Sequence, residues 1–543
     1  MFAFLDTPFD REYPVYTRAN AGEILPDPVS PLAWSLIGPG FEEGFRISFC
    51  DDFSLLPRPG LDVPYRIVGR MAARFHLNLT ALRVAGDRLP GTSADVIDIQ
   101  YFGDAASTGL PEHRSHGDDR RFRLKAPPSM GRTLAGIGRR VDKDRSMIEE
   151  LTADYTAIES EATDRDLVWF ARRVSAAFGT VLGTHVTARA LTSPILEQAV
   201  NALARAGVAP EDALRHVSSI PDLESAKPSR SLGAIARTVP ASSELASLVA
   251  HGSLSAIADA SVDGAAALHD RLIDFLAEHG HRGVGEFDPT RAVWEQRPDD
   301  VVVLLSRLRD TPPPDVEPPD VDPGRVARPL VAAARSAMAR AERTKDTCMR
   351  TTNLLRRITF LLGERLADDL TAIRFRMCTL DELEAVAHGA GVPLGTELDR
   401  RADEFQAASA LVVGEWSDGE LRTVVAPADD GRTADEGDTI EGIAGSPGVV
   451  EGRVRIVVDP YEEFEEGDIL VATMTDTAWT PLFLVAGGVV TDVGGVLSHA
   501  TIVARDLGIP AVVNAKVATT SLNDGDLVRI DGGAGLVSVV ERA

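Results

Sequence analysis

The amino-acid sequence predicts a multidomain α+β protein, in which a mostly helical region at residues 1–425 is followed by a compact α/β domain at residues 442–543. Three observations support this fold class. The chain has 543 residues, which exceeds the usual size of one domain. Apolar residues recur at intervals of three and four between residues 145 and 280, as expected for helices. After Ile440 the pattern changes to short β-type runs separated by turns.

The N-terminal part of the chain is rich in proline and glycine. The stretch from residue 18 to residue 40 cannot form one continuous helix, because it contains Pro26, Pro28, Pro31 and Pro39. We therefore expect residues 1–60 to be an irregular lead-in. Between residues 61 and 140, short β-branched and aromatic runs such as VIDIQYF are broken by glycine and proline, so we expect a small mixed region there.

Two polar segments interrupt the helical region. Residues 311–324 are dense in proline and acidic side chains, so we expect an extended surface connection. Helix is predicted again over residues 325–370, where one face is formed by Leu355, Ile358, Leu362 and Leu366. The segment APADDGRTADEGD has the composition of a linker, and we place a hinge at residues 426–441.

The composition limits the classes of function. A formal net charge of -26 disfavours a nucleic acid or an anionic membrane as a partner. The N-terminus lacks the pattern of a signal peptide, and no apolar stretch approaches the roughly 18 residues that cross a bilayer. The cysteines, Cys50, Cys348 and Cys378, show no CxxC spacing, and we find no ligand set for a metal. We therefore expect a cytoplasmic protein that holds no metal of its own.

A histidine in the C-terminal domain lies where a helix is predicted to begin. A β-type run ends at Thr491, Gly494 and Gly495 follow, and an apolar helical segment starts near Ser498 and ends before Gly508 and Pro510. The glycines allow a bulky phosphate donor to approach the backbone. The free N–H groups of a helix start favour a neutral, nucleophilic His499 and stabilise an attached phosphoryl group, and Ser498 is suited to capping the helix or binding the phosphate.

A lone histidine at a helix start is more often a capping or surface residue than a nucleophile, so the surrounding sequence has to decide. It reads GGVLSHATIVARDLGIP and resembles the mobile phosphohistidine domain of the phosphoenolpyruvate-utilising enzyme superfamily. GIAGSPGVVEGRVRIV at residues 442–457 and ATMTDTAWTPLF at residues 472–483 are similar to further segments of that domain. The resemblance implies that residues 442–543 form a phosphohistidine swivel domain and that His499 is phosphorylated.

Other polar residues of this domain have less specific patterns. Arg505 lies six residues after the histidine, and we favour a solvated helix charge or an intradomain salt bridge over phosphate contact. Asp476 and Thr480 flank the TDTAWTP loop, where capping and turn roles explain them as well as a place in the site does.

Segments before the C-terminal domain resemble the central region of rifampin-phosphotransferase-like proteins of the same superfamily. They are YTRANAGEILPDPVSPLAWS at residues 16–35, HGHRGVGEFDPTRAVW at residues 279–294 and TLDEL at residues 379–383. In the relatives that use pyruvate, a barrel follows the histidine domain, and such a barrel needs about 250 residues. Here 44 residues follow His499, so we expect no pyruvate chemistry of that kind.

The resemblance also implies a source for the phosphoryl group. Those relatives carry an ATP-grasp domain before the YTRAN-like segment, whereas fifteen residues precede it here, and we find no Walker A pattern. We therefore expect a separate ATP-grasp subunit, as in phenylphosphate synthase, which the chain resembles in being split. ATP and Mg²⁺ would be bound by that partner, with AMP and phosphate as products.

Acceptor-site candidates lie in the central region. His281, Arg282 and Glu286 fall in one loop, where the arginine would hold an oxyanion and one of the other two would act as a general base. An ion-paired structural turn explains them equally well. A second group, Arg343, Lys345, Arg350 and Arg357, forms a basic stripe that would receive the histidine domain, although we favour a solvated face.

Together these features predict a dikinase-type phosphotransferase subunit. His499 would carry a phosphoryl group from the partner to a hydroxyl-bearing small organic acceptor, in two steps of covalent catalysis. One alternative is a phosphotransferase fed by phosphoenolpyruvate. Another is a non-catalytic ligand-binding or regulatory protein that retains the swivel-domain fold.

Overall fold

The protein was examined as a computed structural model, and its contacts divide the chain into two compact units. Unit 1 comprises Met1–Leu191, Gly285–Arg291 and Arg343–Ala428, and unit 2 comprises Thr192–Val284, Ala292–Glu342 and Asp429–Ala543. The structure describes residues 4, 6–60, 63–89, 92–102, 109–114, 119–209, 212–213, 216–217, 220, 224–239, 244–310, 322–423, 434–495 and 498–543.

Helices account for most of the described secondary structure before residue 410. In chain order they are α1 (Ala21–Ile24), α2 (Pro31–Arg46), α3 (Leu79–Arg88), α4 (Ala94–Phe102), α5 (Asp119–Ile158), α6 (Asp164–Arg205), α7 (Lys227–Ala236), α8 (Glu244–His251), α9 (Leu254–Asp259), α10 (Ala265–His279), α11 (Pro298–Asp310), α12 (Gly324–Arg365), α13 (Ala372–Met377), α14 (Leu380–Ala387), α15 (Gly395–Ser409), α16 (Thr480–Phe483), α17 (His499–Leu507) and α18 (Ala518–Ser521). A π-helical turn, Ile47–Asp52, follows α2, and a 3₁₀ turn, Thr477–Trp479, precedes α16.

The strands form two sheets, one in each unit. In chain order they are β1 (Val15–Thr17), β2 (Val68–Met71), β3 (Arg74–Asn78), β4 (Trp416–Asp418), β5 (Thr439–Glu441), β6 (Ile443–Ser446), β7 (Val449–Ile456), β8 (Ile469–Ala472), β9 (Gly488–Thr491), β10 (Ala511–Val513), β11 (Leu527–Asp531) and β12 (Leu536–Glu541). A helical middle followed by a C-terminal sheet domain confirms the predicted fold class. No helix within the described ranges is long and apolar enough to cross a membrane.

Unit 1 contains an antiparallel four-stranded sheet in the order β2-β3-β1-β4. Its core is continuous from the sheet to the long helices, since Phe41 of α2 lies against Phe75 of β3 and Phe178 of α6, with ring centroids 4.7 and 5.4 Å apart. Two turns of α12 complete this core with Leu355, Ile358 and Leu362, in agreement with the apolar face predicted for residues 325–370.

Helix α2 shows that the expectation of an irregular lead-in was wrong for Pro31–Arg46. The Ser30 side chain accepts a hydrogen bond from the Ala33 N–H at 3.2 Å, and Pro31 occupies the first turn, where a missing N–H costs nothing. Pro39 is nevertheless inside the helix, at an expected cost of about 3 kcal/mol. Burial of most of the helix in the unit 1 core offsets that cost.

The VIDIQYF run, for which we expected β structure, is helical and forms the end of α4. Its Asp98 is buried and accepts two hydrogen bonds from Arg83 of α3, at 2.7 and 2.9 Å. The Arg83–Asp98 pair and the packing of α4 on α3 stabilise the helix despite the β propensity of its isoleucines and valine. Intrinsic propensity is weak, and tertiary contacts commonly override it. Helix α5 also starts at Asp119, well before the predicted onset near residue 145.

Unit 2 carries the C-terminal sheet, whose strand order is β5-β12-β11-β7-β8-β9-β10-β6. Strands β7, β8, β9 and β10 run parallel to their neighbours in that block, and the flanking pairs are antiparallel. The last three residues of the predicted hinge form β5, while residues 424–433 lie outside the described part of the chain. Residues 311–321 of the predicted proline-rich connection also lie outside it.

The C-terminal domain contacts the helices α7–α11 within unit 2 through the loop between β7 and β8 and the segment around α16. The buried Trp294 donates a hydrogen bond from Nε1 to the Tyr461 hydroxyl at 2.9 Å. Arg307 of α11 donates to the carbonyl oxygens of Pro460 and Tyr461, each at 2.5 Å, and to that of Glu462. Leu484 joins the apolar cluster formed by these helices, so the contact has both a polar and an apolar part.

Candidate functional site

Strand β9 and helix α17 place His499 at the carboxyl edge of the parallel strands. This edge is where open α/β sheets generally bind ligands, because the loops that leave parallel strands converge there. Helix α17 starts as the sequence predicts: the Ser498 side chain caps it by accepting from the Thr501 N–H at 3.4 Å. The helix ends at Gly508, whose φ of 70° is the left-handed conformation of a C-cap.

Neighbouring residues of the C-terminal domain constrain the conformation of the glycine pair before α17. Gly494 has a φ of 154°, and a Cβ at this position would lie 3.2 Å from Ser498 Oγ and from Val513 Cβ. The Gly495 carbonyl oxygen accepts hydrogen bonds from the Ser498 N–H and the Thr501 hydroxyl, both at 2.9 Å. The glycines therefore shape the turn into α17, in addition to any access they give a phosphate donor.

The imidazole of His499 is half-buried, so it is not sealed in the core. Its Nε2 lies 3.3 Å from the hydroxyl oxygen of Thr480, the first residue of α16. The Phe483 ring packs edge-on to the imidazole, with centroids 6.2 Å apart. When the ring proton is on Nδ1, the hydroxyl donates to the Nε2 lone pair and fixes the orientation of the imidazole, and Nε2 becomes available as a nucleophile once this hydrogen bond breaks.

Arg505 is not a solvated helix charge, which was one of the two roles favoured over phosphate contact, the other being an intradomain salt bridge. Its side chain is 6% exposed, and its Nε donates to the Gly445 carbonyl oxygen at 2.6 Å. Burial lowers the pKa of the Arg505 guanidinium to about 10. The arginine thus ties α17 to β6, a structural role that fixes the helix carrying the histidine.

The predicted acceptor-site residues fall in both units. Glu286 and Lys345 come together in unit 1, where the Lys345 Nζ lies 3.8 Å from a buried carboxylate oxygen of Glu286. His281 and Arg282 belong to unit 2 and are buried, and the turn that contains them is held by the Arg282 N–H donating to the His279 carbonyl at 2.9 Å.

The basic stripe on α12 is largely neutralised by carboxylates rather than solvated. Arg350 donates to Asp346 at 2.7 Å and Arg357 to Glu159 at 2.6 Å, while Arg343 is exposed. The expectation of a solvated face therefore holds for Arg343 and is wrong for the paired members. Local spacing is sufficient to suggest the pair of Arg350 with Asp346, which lies one helical turn away, but not the pair of Arg357 with Glu159, which is 198 residues distant.

Sequence reasoning left the role of Thr480 open. The threonine lies 19 residues before His499, on a different element, so no local spacing relates them.

Replacing Thr480 with valine keeps the shape of the side chain and removes its hydroxyl. If His499 is phosphorylated, as the sequence predicts, labelling should slow by about 10- to 100-fold, because the hydroxyl that fixes the orientation of the imidazole is lost. Thr480→Ser should restore most of the rate. Quench-flow labelling of the chain measures both, and a rate for Thr480→Val within threefold of the wild-type rate would show that the hydroxyl does not assist.

Comparison with known families assigns two segments of the chain. Residues 464–535 match the family described as PEP-utilising enzyme, mobile domain. Residues 185–365 match the rifampicin phosphotransferase fourth domain. These matches confirm the resemblance to the phosphoenolpyruvate-utilising superfamily and to rifampicin phosphotransferase, and the first contains His499, Thr480 and the strands that position them.

Particular relatives agree with this assignment. The chain is 31% identical to a rifampicin phosphotransferase of Streptomyces sviceus over 52% of its own length and 35% of the relative's. It is 28% identical to a protein of Mycobacterium tuberculosis that is described as uncharacterised, over 99% of its own length and 63% of the relative's. A phosphotransferase of Bacillus subtilis is 48% identical over 19% of the chain and 13% of the relative. The chain thus spans less than two thirds of the length of each of these relatives.

Proposed function

We propose that the chain is a phosphotransferase that carries a phosphoryl group on Nε2 of His499 from a nucleotide-binding, ATP-grasp-type partner to a hydroxyl-bearing small organic molecule. The observation that supports this best is the half-exposed imidazole at the start of α17, with the Thr480 hydroxyl at its Nε2. It lies in a segment that matches a mobile domain of phosphoenolpyruvate-utilising enzymes. The matches to rifampicin phosphotransferases support the class of acceptor.

The first step is attack of the neutral imidazole on a phosphorus atom of the donor. A bond forms between Nε2 and the β-phosphorus of ATP, and the bond from that phosphorus to the oxygen of the leaving AMP breaks with its electron pair. Water then displaces the γ-phosphate as inorganic phosphate, which leaves one phosphoryl group on Nε2. The proton on Nδ1 keeps the ring singly protonated before transfer. The N–H groups at the start of α17 stabilise the negative charge that arrives on the ring.

ATP and Mg²⁺ belong to the partner in this proposal. The described residues contain no group of three or more His, Cys, Asp or Glu arranged to hold a metal ion. Two alternatives remain as outcomes of the test. In one, phosphoenolpyruvate is the donor, and in the other, the chain binds a ligand without turnover.

The test mixes the full chain with an ATP-grasp protein from the same organism and ATP labelled in its β-phosphate, and in parallel with labelled phosphoenolpyruvate. We expect acid-labile, base-stable label on the chain from ATP, and its discharge by rifampicin as the probe acceptor. Label from phosphoenolpyruvate alone would replace the proposed donor. No label from either donor would favour the binding protein and contradict the proposal.

A further inference from the structure

We propose that unit 1 contains the acceptor site and that Glu23 is its general base, taking the proton from the hydroxyl of an uncharged organic acceptor. This inference rests on the proposed function and extends it to a residue and a location. It follows from an unpartnered carboxylate oxygen that lies among cations contributed by two long helices.

Glu23 lies on α1, in the short connection between β1 and α2. The preceding Asn20 has a φ of 59°, and this left-handed turn directs the chain from the strand into α1. The glutamate is half-buried as a residue, but its Oε1 is buried and has no hydrogen-bond partner among the described residues. A buried acceptor without a donor is costly, so such an atom in a native fold calls for an explanation. A bound hydroxyl group would supply the missing donor.

The titratable side chains that interact with Glu23 come from three elements of unit 1. Arg189 of α6 and Lys345 of α12 both act on the carboxylate with positive charge. Tyr101 of α4 faces it as well, and its hydroxyl is hydrogen-bonded by Asn20. Lys345 also pairs with Glu286, one of the predicted acceptor-site residues, at 3.8 Å.

This arrangement combines a proton-accepting carboxylate with two cationic side chains in unit 1. The carboxylate is suited to receive a proton, and Arg189 and Lys345 are suited to stabilise the negative oxygens of a phosphoryl group during transfer. Arg189 of α6 and Lys345 of α12 both act electrostatically on this carboxylate, although residues 23, 189 and 345 are distant in sequence. The charge pattern fits a neutral acceptor that becomes a phosphate ester beside the cations.

The protonation state of Glu23 suits base catalysis near neutral pH. Burial raises the pKa of Glu23 to about 7, and the opposing effect of Arg189 and Lys345 only partly offsets burial. A general base is most effective when its pKa is close to the working pH. The ionised fraction increases as the pH rises through about 7, so the transfer rate should increase over the same interval.

Transfer of the phosphoryl group to the acceptor forms one bond to phosphorus and breaks another. The acceptor hydroxyl oxygen forms a bond to the phosphorus on His499, and the bond from phosphorus to Nε2 breaks with its electron pair returning to the imidazole. The hydroxyl proton passes to the Glu23 carboxylate, which later releases it to solvent. The products are a phosphate monoester and a neutral His499.

The first experiment measures discharge of phosphorylated full chain by rifampicin in the wild type, Glu23→Gln and Glu23→Asp. We expect Glu23→Gln to slow discharge by about 100-fold or more while His499 is labelled at the wild-type rate, with an intermediate rate for the aspartate. Glu150→Gln, an exposed position on α5, is the matched control and should discharge normally. Discharge of Glu23→Gln within threefold of the wild type, at normal labelling, overturns this inference and leaves the proposed function standing.

A second experiment does not depend on the identity of the acceptor. Dicyclohexylcarbodiimide reacts with protonated carboxyl groups that a small apolar molecule can reach, and peptide mass spectrometry locates the adduct. We expect Glu23 to be modified at pH 6, with a rate that decreases as the pH rises through about 7, while Glu150 is not modified. Absence of an adduct on Glu23 between pH 6 and 8 shows a sealed carboxyl and overturns the inference, even where rifampicin discharges no variant.

Discussion

Replacing His499 with alanine is expected to abolish phosphorylation of the chain, with a loss of roughly a thousand-fold or more, because the only group that would form the covalent bond is removed. The substitution should leave the fold intact. The imidazole is half-buried at the first position of α17, and the cap of that helix is supplied by Ser498 rather than by the histidine. Filter binding after base treatment, with acid treatment in parallel, measures the label.

A matched control is available in His388, an exposed histidine that follows α14 and whose ring bonds to the Glu384 carbonyl. His388→Gln should be labelled at the wild-type rate. Persistent acid-labile label on His499→Ala would assign the phosphoryl group to another residue and refute the proposed function. Circular dichroism of both variants separates loss of chemistry from loss of structure.

Replacing Arg356 with alanine is expected to destabilise unit 1 by about 3 to 5 kcal/mol. The guanidinium is fully buried and donates to the carbonyl oxygens of Glu286 at 2.8 Å, Asp288 at 3.1 Å and Arg291 at 2.6 Å. These acceptors all belong to the short segment Gly285–Arg291, so the substitution leaves several buried carbonyls without a donor and also opens a cavity.

Urea unfolding of the two variants Arg356→Ala and Arg145→Ala measures this effect. Arg145 is exposed and pairs with Glu149 one turn along α5, so its loss should cost less than about 1 kcal/mol. A second readout follows from geometry: Glu286 is held through its main chain by Arg356, so its pairing with Lys345 should weaken as well. A decrease in the free energy of unfolding of less than about 1.5 kcal/mol for Arg356→Ala would contradict this prediction and would indicate that water hydrogen-bonds the carbonyl oxygens in place of the guanidinium.

The C-terminal site was the part of the protein most accessible to sequence reasoning. Its signals are local: a capping serine, a histidine directly after it, a glycine at the C-cap and a proline beyond. The strands around it alternate with turns within about a hundred residues, so their presence could be inferred from short segments, whereas their order in the sheet, which is not sequential, could not. The same kind of pattern located α12 from four apolar residues on one face.

The failures have a common physical cause, which is dependence on distant partners. Helix α2 tolerates Pro39 because the helix is buried against α6 and β3, and the VIDIQYF run is helical because Asp98 pairs with Arg83. Arg505 is buried because β6, some 60 residues earlier, offers a carbonyl oxygen to it. The surroundings of Glu23 depend on side chains from α6 and α12, which no periodicity in the sequence relates to α1.

The loop between β7 and β8 is held by hydrogen bonds to other residues of unit 2. Arg307 donates to three successive carbonyl oxygens of this loop, and the Trp294 Nε1–H donates to the Tyr461 hydroxyl. Movement of the C-terminal domain away from these helices would break these hydrogen bonds and expose the Trp294 indole to water. In the proposed function, delivery of the phosphoryl group would therefore include an activated step in which the domain is released.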